Sequence, residues 1–165
     1  ASVSWPYCDV LETLRPFSPQ FGAVPSGMIL ELQGHPSRLL RDQFIVPQIT
    51  LPQAAGYLEV DYFSSDGELL HVYPRPGVKP AYREGGSVVV LGDPAAKNVE
   101  HFPVGKPYGT DLIVAIATSS PLFARARPDD TVSAYLPALR QALATIQSHG
   151  GKVDVRAMVV ETADQ

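Results

Sequence analysis

Short apolar runs separated by proline and glycine dominate the chain, a rhythm of strands more than of helices. The first run is Met28 to Leu32 and the second Gln43 to Leu51, where Phe44, Val46, Ile49 and Leu51 are interrupted by Pro47. Proline brings no N–H to a ladder, so Pro47 predicts an edge strand or a bulge. Tyr57 to Phe63 alternates, Ser64-Ser65-Asp66-Gly67 offers a turn, and Glu68 to Tyr73 continues the apolar pattern. This is a hairpin signature, with Asp66-Gly67 suited to a positive φ. A loop of two or four residues puts Leu58, Val60 and Tyr62 on one face with Leu69, His71 and Tyr73, and that face is expected to be the core face. Further strands are predicted at Ser87 to Leu91 and at Asp111 to Thr118, the latter with Leu112 to Ala117 uninterrupted, so that both its faces should be buried.

Near the C-terminus the period changes. Val132, Tyr135, Leu136, Leu139, Leu143 and Ile146 fall three and four apart and predict a helix over 131–149. A start near Ser133 accommodates Pro137 in the first turn, where its missing N–H has no obligatory intrahelical acceptor. Asp129 and Asp130 complement the positive end, and Gly150-Gly151 marks the stop. An alternating final strand covers 152–161. Residues 1–27 read as an irregular lead-in, 28–118 as a β-rich core, and Pro74–Gly86 and Gly92–Gly109 as proline-rich loops. The expected fold is one domain over 1–165, mainly β (α+β), a sandwich-like antiparallel or mixed sheet with one C-terminal helix packed on it before the last strand.

Composition narrows the function classes. With 165 residues, 45% apolar and 18% charged, the chain can bury one core and is not globally disordered. A formal charge of -4 argues against tracking phosphates, so no nucleic-acid partner is expected. One cysteine excludes an intrachain disulfide. Four histidines without ligand spacing suggest no metal and no zinc scaffold. No run approaches the roughly 20 apolar residues of a membrane span, so no direct membrane insertion is expected. The opening at Ala1 suits a mature secreted form or a piece of a longer chain; both stay open.

Catalytic motifs are scarce. No serine stands in a G-x-S-x-G frame, and Ser119-Ser120-Pro121 reads as a strand end before a turn. Cys8 has no adjacent base and is expected to be a small buried hydrophobe. Glu59, Asp61, Asp66 and Glu68 gather around the hairpin, but counting from Gly67 leaves tyrosines at both ends of a would-be calcium loop, so they read as solvent-facing strand and turn residues. His71 is the only histidine inside a predicted strand and reads first as a core or rim residue. The candidate contact surface is the loop Pro74 to Arg83, extended by its prolines and carrying Arg75, Lys79, Tyr82 and Arg83 on the base formed by Tyr73. With Asp61 and His71, these residues are the expected ligand or partner contacts.

Several segments together carry a resemblance. Gly56-Tyr57-Leu58-Glu59-Val60-Asp61-Tyr62-Phe63-Ser64-Ser65-Asp66-Gly67, Leu70-His71-Val72-Tyr73-Pro74, Val90-Leu91-Gly92, Pro107 to Ala117, Pro121-Leu122-Phe123 and Tyr135-Leu136 with Leu139-Arg140 resemble a bacterial domain of unknown function. It occurs at the C-terminus of serine/threonine protein kinases and caspase-like peptidases. The opening Tyr7 to Leu11 and Leu14-Arg15-Pro16 looks like the family's lead-in. The resemblance implies a non-catalytic accessory or sensor domain that binds a ligand or protein partner, with no cofactor and with any catalysis in another domain. It also favours an extracytoplasmic setting. No glycine-rich kinase loop, His-Arg-Asp or Asp-Phe-Gly occurs here. Two alternatives remain: a small hydrolase or peptidase-like enzyme using a His71-centred pocket, and a structural adaptor docking on its parent's catalytic domain.

Overall fold

The computed structural model describes residues 7–19, 26–54 and 56–165. Strand β1 (Ile29–Leu32), β3 (Pro47–Thr50) and β6 (Val88–Val90) form a three-stranded antiparallel sheet with β3 in the middle. A six-stranded sheet runs β2 (Leu39–Leu40), β9 (Val153–Ala163), β7 (Gly109–Thr118), β4 (Tyr57–Phe63), β5 (Glu68–Tyr73), β8 (Asp130–Thr131). Only the β2–β9 pairing in it is parallel. Two helices, α1 (Tyr7–Leu14) and α2 (Val132–Ser148), cover the large sheet on the face opposite the small one. The fold is mainly β, in three layers, with the expected helix before the last strand.

Each interlayer space has its own core. Leu58, Val60, Tyr62, Val72, Ile113 and Ala115 meet Leu32, Ile49 and Val89 between the sheets. Phe63, Leu69, Leu112, Val114, Ile116 and Val155 meet Val10 and Leu14 of α1 and Tyr135, Leu139 and Leu143 of α2. The central strand β7 alternates between these cores and is buried from Asp111 to Thr118, as its unbroken apolar run predicts.

Four expectations change. Pro47 does not mark an edge: β3 is the central strand of its sheet, and the proline stands at its first position, opposite Leu32, where a missing donor costs no ladder bond to β6. The lead-in over 1–27 lies partly outside the described residues, but 7–14 is helical, with Tyr7, Val10 and Leu14 three and four apart on its buried side. Cys8, expected inside, is exposed on that helix. Pro137 lies one residue deeper than expected, because α2 begins at Val132 with the Thr131 side chain accepting the Ala134 N–H at the cap. Its neighbour Ser133, whose carbonyl would lose the bond, faces solvent.

The hairpin register differs too, and this shapes the site. Ser64 N–H donates to the Glu68 carbonyl at 2.9 Å, which leaves a three-residue loop, 65–67, ending on Gly67 at φ +88°. An odd loop reverses the parity that an even loop would give: Phe63 lies opposite Leu69 and Asp61 opposite His71. Leu69 and His71 therefore join Glu59, Asp61 and Phe63 under the helices, away from Leu58, Val60 and Tyr62. A bulge between Val60 and Asp61 restores the expected partnership further on, with Tyr73 opposite Val60.

Candidate functional site

The shifted register assembles a buried polar cluster. His71 Nδ1 lies 2.7 Å from Asp61 Oδ1 and 3.4 Å from Glu59 Oε1. The Tyr135 hydroxyl, brought by α2, donates to Asp61 Oδ2 at 2.6 Å, and its ring stands edge-on to the imidazole with centroids 5.0 Å apart. Asp61 and His71 are fully enclosed and Glu59 is 7% exposed. The expectation that Glu59 and Asp61 face solvent is overturned, because α2 and the loop 119–130 cover this side of the sheet. Burial and then the Asp61 carboxylate push the Glu59 carboxyl up to about 8. Burial alone would lower the His71 value; the hydrogen bond to Asp61 and the Glu59 carboxyl at 3.4 Å overcome it and raise His71 to about 10. Among the described residues, Glu59 Oε1 and His71 Nε2 have no hydrogen-bond partner.

The opposite side of the same hairpin is open. A cavity of about 370 Å³ lies between the sheets, walled by Ile45, Pro47, Leu70, Val72, Phe102 and Val104, with Tyr62 and Asp111 also lining it and Glu100, His101 and Lys106 among the bordering residues. The Tyr62 hydroxyl donates a short hydrogen bond to Asp111 Oδ2, and the Ser65 N–H donates to Oδ1 at 3.0 Å. Burial, opposed by those two bonds, holds the Asp111 carboxyl above its ordinary value. Gly92 makes room for one wall: a Cβ there would stand 2.6 Å from the Phe102 ring, and its φ of +69° suits glycine. A second cavity, of about 480 Å³, opens where Pro16, Phe17 and Leu51 meet Tyr57, Lys152 and Asp154.

The proline-rich loop is less available than its sequence suggests. Arg75 donates to the His71 carbonyl at 2.6 Å, pairs with Glu100 at 2.7 Å and reaches Asp129, whose carboxylate also accepts the His71 N–H at 3.0 Å. It thus ties β5 to the border of the inter-sheet cavity and to the approach to α2. Arg83 donates to the Tyr73 hydroxyl at 2.8 Å and lies over its ring. Lys79 and Tyr82 are exposed, Tyr82 edge-on to Tyr57. Of the expected contact residues, the structure brings Asp61 and His71 together in the interior, pairs Tyr73 with Arg83, and leaves Lys79 and Tyr82 facing solvent.

Tyr62, Asp111, Glu59 and Tyr135 were not among the expected contacts. A signal for Glu59 lies in β7. A neighbouring strand buried on both faces implies that β4 is covered on both faces as well, so the charges at 59 and 61 must point inward.

Residues 42–121 match the family model of DUF4384, a domain of unknown function. That segment runs from the approach to β3 through β7 and contains Glu59, Asp61, His71 and every cavity residue around Tyr62 and Asp111 named above. Helix α2, with Tyr135, and strand β9 lie outside it. No curated protein and no solved structure matches the chain.

Proposed function

We propose that the chain is a non-catalytic, ligand-binding accessory domain of a bacterial signalling protein whose kinase- or caspase-like chemistry resides in another domain. The observation that carries this reading is the inter-sheet cavity. It joins apolar walls to a few converging polar groups, the usual make-up of a small-molecule site, and its size is ample for a small ligand. Asp111 accepts and Tyr62 can both donate and accept, so the ligand class is a small amphipathic molecule with a hydroxyl or amine at its buried end. The larger cavity is less well placed, because Pro16, Phe17, Lys152 and Asp154 of its lining fall outside 42–121, whereas of the inter-sheet cavity's lining Thr162 alone does. The kinase and caspase setting rests on the sequence resemblance alone.

The enzyme alternative asks for His71 in a pocket with a carboxylate in reach. Asp61 supplies the carboxylate, but neither large cavity has His71 in its lining. A buried imidazole without a route for substrate favours the binding reading. The test is a ligand-observed NMR screen of polar fragments against wild type and Tyr62→Phe. Hits carrying a donor group, weakened severalfold in the variant, support the reading; hits indifferent to Tyr62, or none, contradict it.

A further inference from the structure

We propose that Glu59, Asp61 and His71 form a site for one first-row transition-metal dication, with zinc as its representative, enclosed between β4, β5 and the loop 119–130. Three observations lead there. One ligand atom from each residue lies within 4.8 Å of the other two, and all three residues are buried, unlike a chance cluster of surface acids. Glu59 Oε1, on a side chain over nine-tenths buried, points to the His71 side of the cluster at 3.4 Å from Nδ1 and accepts no hydrogen bond from the described residues. A buried carboxylate oxygen that accepts no hydrogen bond is under-served by a ring nitrogen 3.4 Å away, and a metal ion seated between them would serve both. Beside Glu59 lies a cavity of about 10 Å³ walled by Pro74, Leu122, Phe123 and Ala126. That is room for about one water on the Glu59 side of the cluster.

The donor set selects the class of metal. One imidazole nitrogen with two carboxylate oxygens suits zinc, manganese, iron or cobalt, whereas calcium and magnesium prefer all-oxygen shells of six or more. A bound dication would displace the protons of Glu59 and His71, and the resulting set of two carboxylates and a neutral imidazole, at -2, is one that a dication cancels inside the protein. Tyr135 would act as a positioning residue. Its hydroxyl on Asp61 Oδ2 leaves Oδ1 for the metal and fixes the carboxylate's orientation, as outer hydrogen bonds do at metal sites. Binding would open the 2.7 Å His71–Asp61 contact by a few tenths of an ångström, since donors about 2.1 Å from one ion sit roughly 3 to 3.4 Å apart.

The test uses the full chain, stripped with chelator and checked for folding by circular dichroism. Zinc is titrated in competition with a chromophoric chelator, and cobalt is added separately to read its visible d–d absorption. The expected result is one equivalent of tightly bound zinc, an intense tetrahedral-type or weaker higher-coordinate cobalt spectrum, and no competition from millimolar-range calcium or magnesium. Glu59→Gln, nearly isosteric, should stay folded and bind zinc at least about tenfold more weakly, and His71→Asn should abolish the cobalt spectrum. Folded wild type that binds neither metal overturns the proposal, as does binding unchanged in Glu59→Gln. If both variants unfold, X-ray absorption of the zinc-loaded wild type decides: a shell with one imidazole and carboxylate oxygens supports the site, and one without imidazole overturns it.

Discussion

The two faces of strand β4 use polar residues in opposite ways. Under the helices, Glu59 and Asp61 are sealed with His71 and Tyr135 in a space with no large opening. Toward the small sheet, Tyr62 meets Asp111 beside a cavity that reaches the surface at Glu100, His101 and Lys106. Residues adjacent in sequence thus serve a closed polar core on one side and a borderland on the other. The difference teaches that alternation along a strand sorts side chains by face, while the covering layer decides whether a charge meets water.

The largest effect should come from the closed side. Asp61→Ala removes the acceptor of both the His71 ring and the Tyr135 hydroxyl, leaving two buried donors unpaired, and should cost about 3–5 kcal/mol in denaturant unfolding. A loss below about 1 kcal/mol would mean that water reaches the cluster and that the two faces are not distinct. Leu139→Ala, at a fully buried position of α2, should cost about 2–5 kcal/mol, since it opens a cavity in the layer that does the sealing.

The open side should be gentler. Tyr62→Phe deletes one hydrogen bond to a carboxylate and should cost about 1.5–3 kcal/mol. The carboxyl it serves also gives a pH signature. Because the folded Asp111 value is raised above its ordinary 3.8, the folded state holds this proton more tightly than the unfolded state does. Its contribution is fully present below that ordinary value and is lost as pH rises through the folded one. Asp111→Asn should therefore flatten the fall in melting temperature between acid and neutral pH; an unchanged profile would show that Asp111 ionises as freely folded as unfolded.

The smallest effects separate the two kinds of cation in the proline-rich loop. Arg75→Ala should cost about 1 kcal/mol, because it bonds the His71 carbonyl and two partly exposed carboxylates. Lys79→Ala should stay within about 0.5 kcal/mol. Equal melting curves for both would return Arg75 to the role of a free contact residue that its sequence context suggests.

Much of the architecture was legible because it rests on patterns that neighbours cannot change. The stripe from Val132 to Ile146 could only be a helix with one buried face, and Leu112 to Ala117 could only be a strand covered twice. What escaped depended on a single parity. Ser64 to Gly67 reads equally well as a two- or four-residue turn, and one residue of difference moves His71 from beside Tyr62 to beside Asp61. The inter-sheet cavity escaped for another reason: Tyr62 and Asp111 are 49 residues apart and meet only because β4 pairs with β7. Strands β2 and β8, of two residues each, leave no pattern to read.

The most direct measurement is a crystal structure of the chain soaked with its best donor-bearing fragment. The account predicts density in the inter-sheet cavity, with a hydroxyl or amine within hydrogen-bond distance of Tyr62 or Asp111 and apolar atoms against Leu70, Val72 and Phe102. Density seated instead in the cavity beside Tyr57, Lys152 and Asp154, with the inter-sheet cavity holding only water, would contradict it.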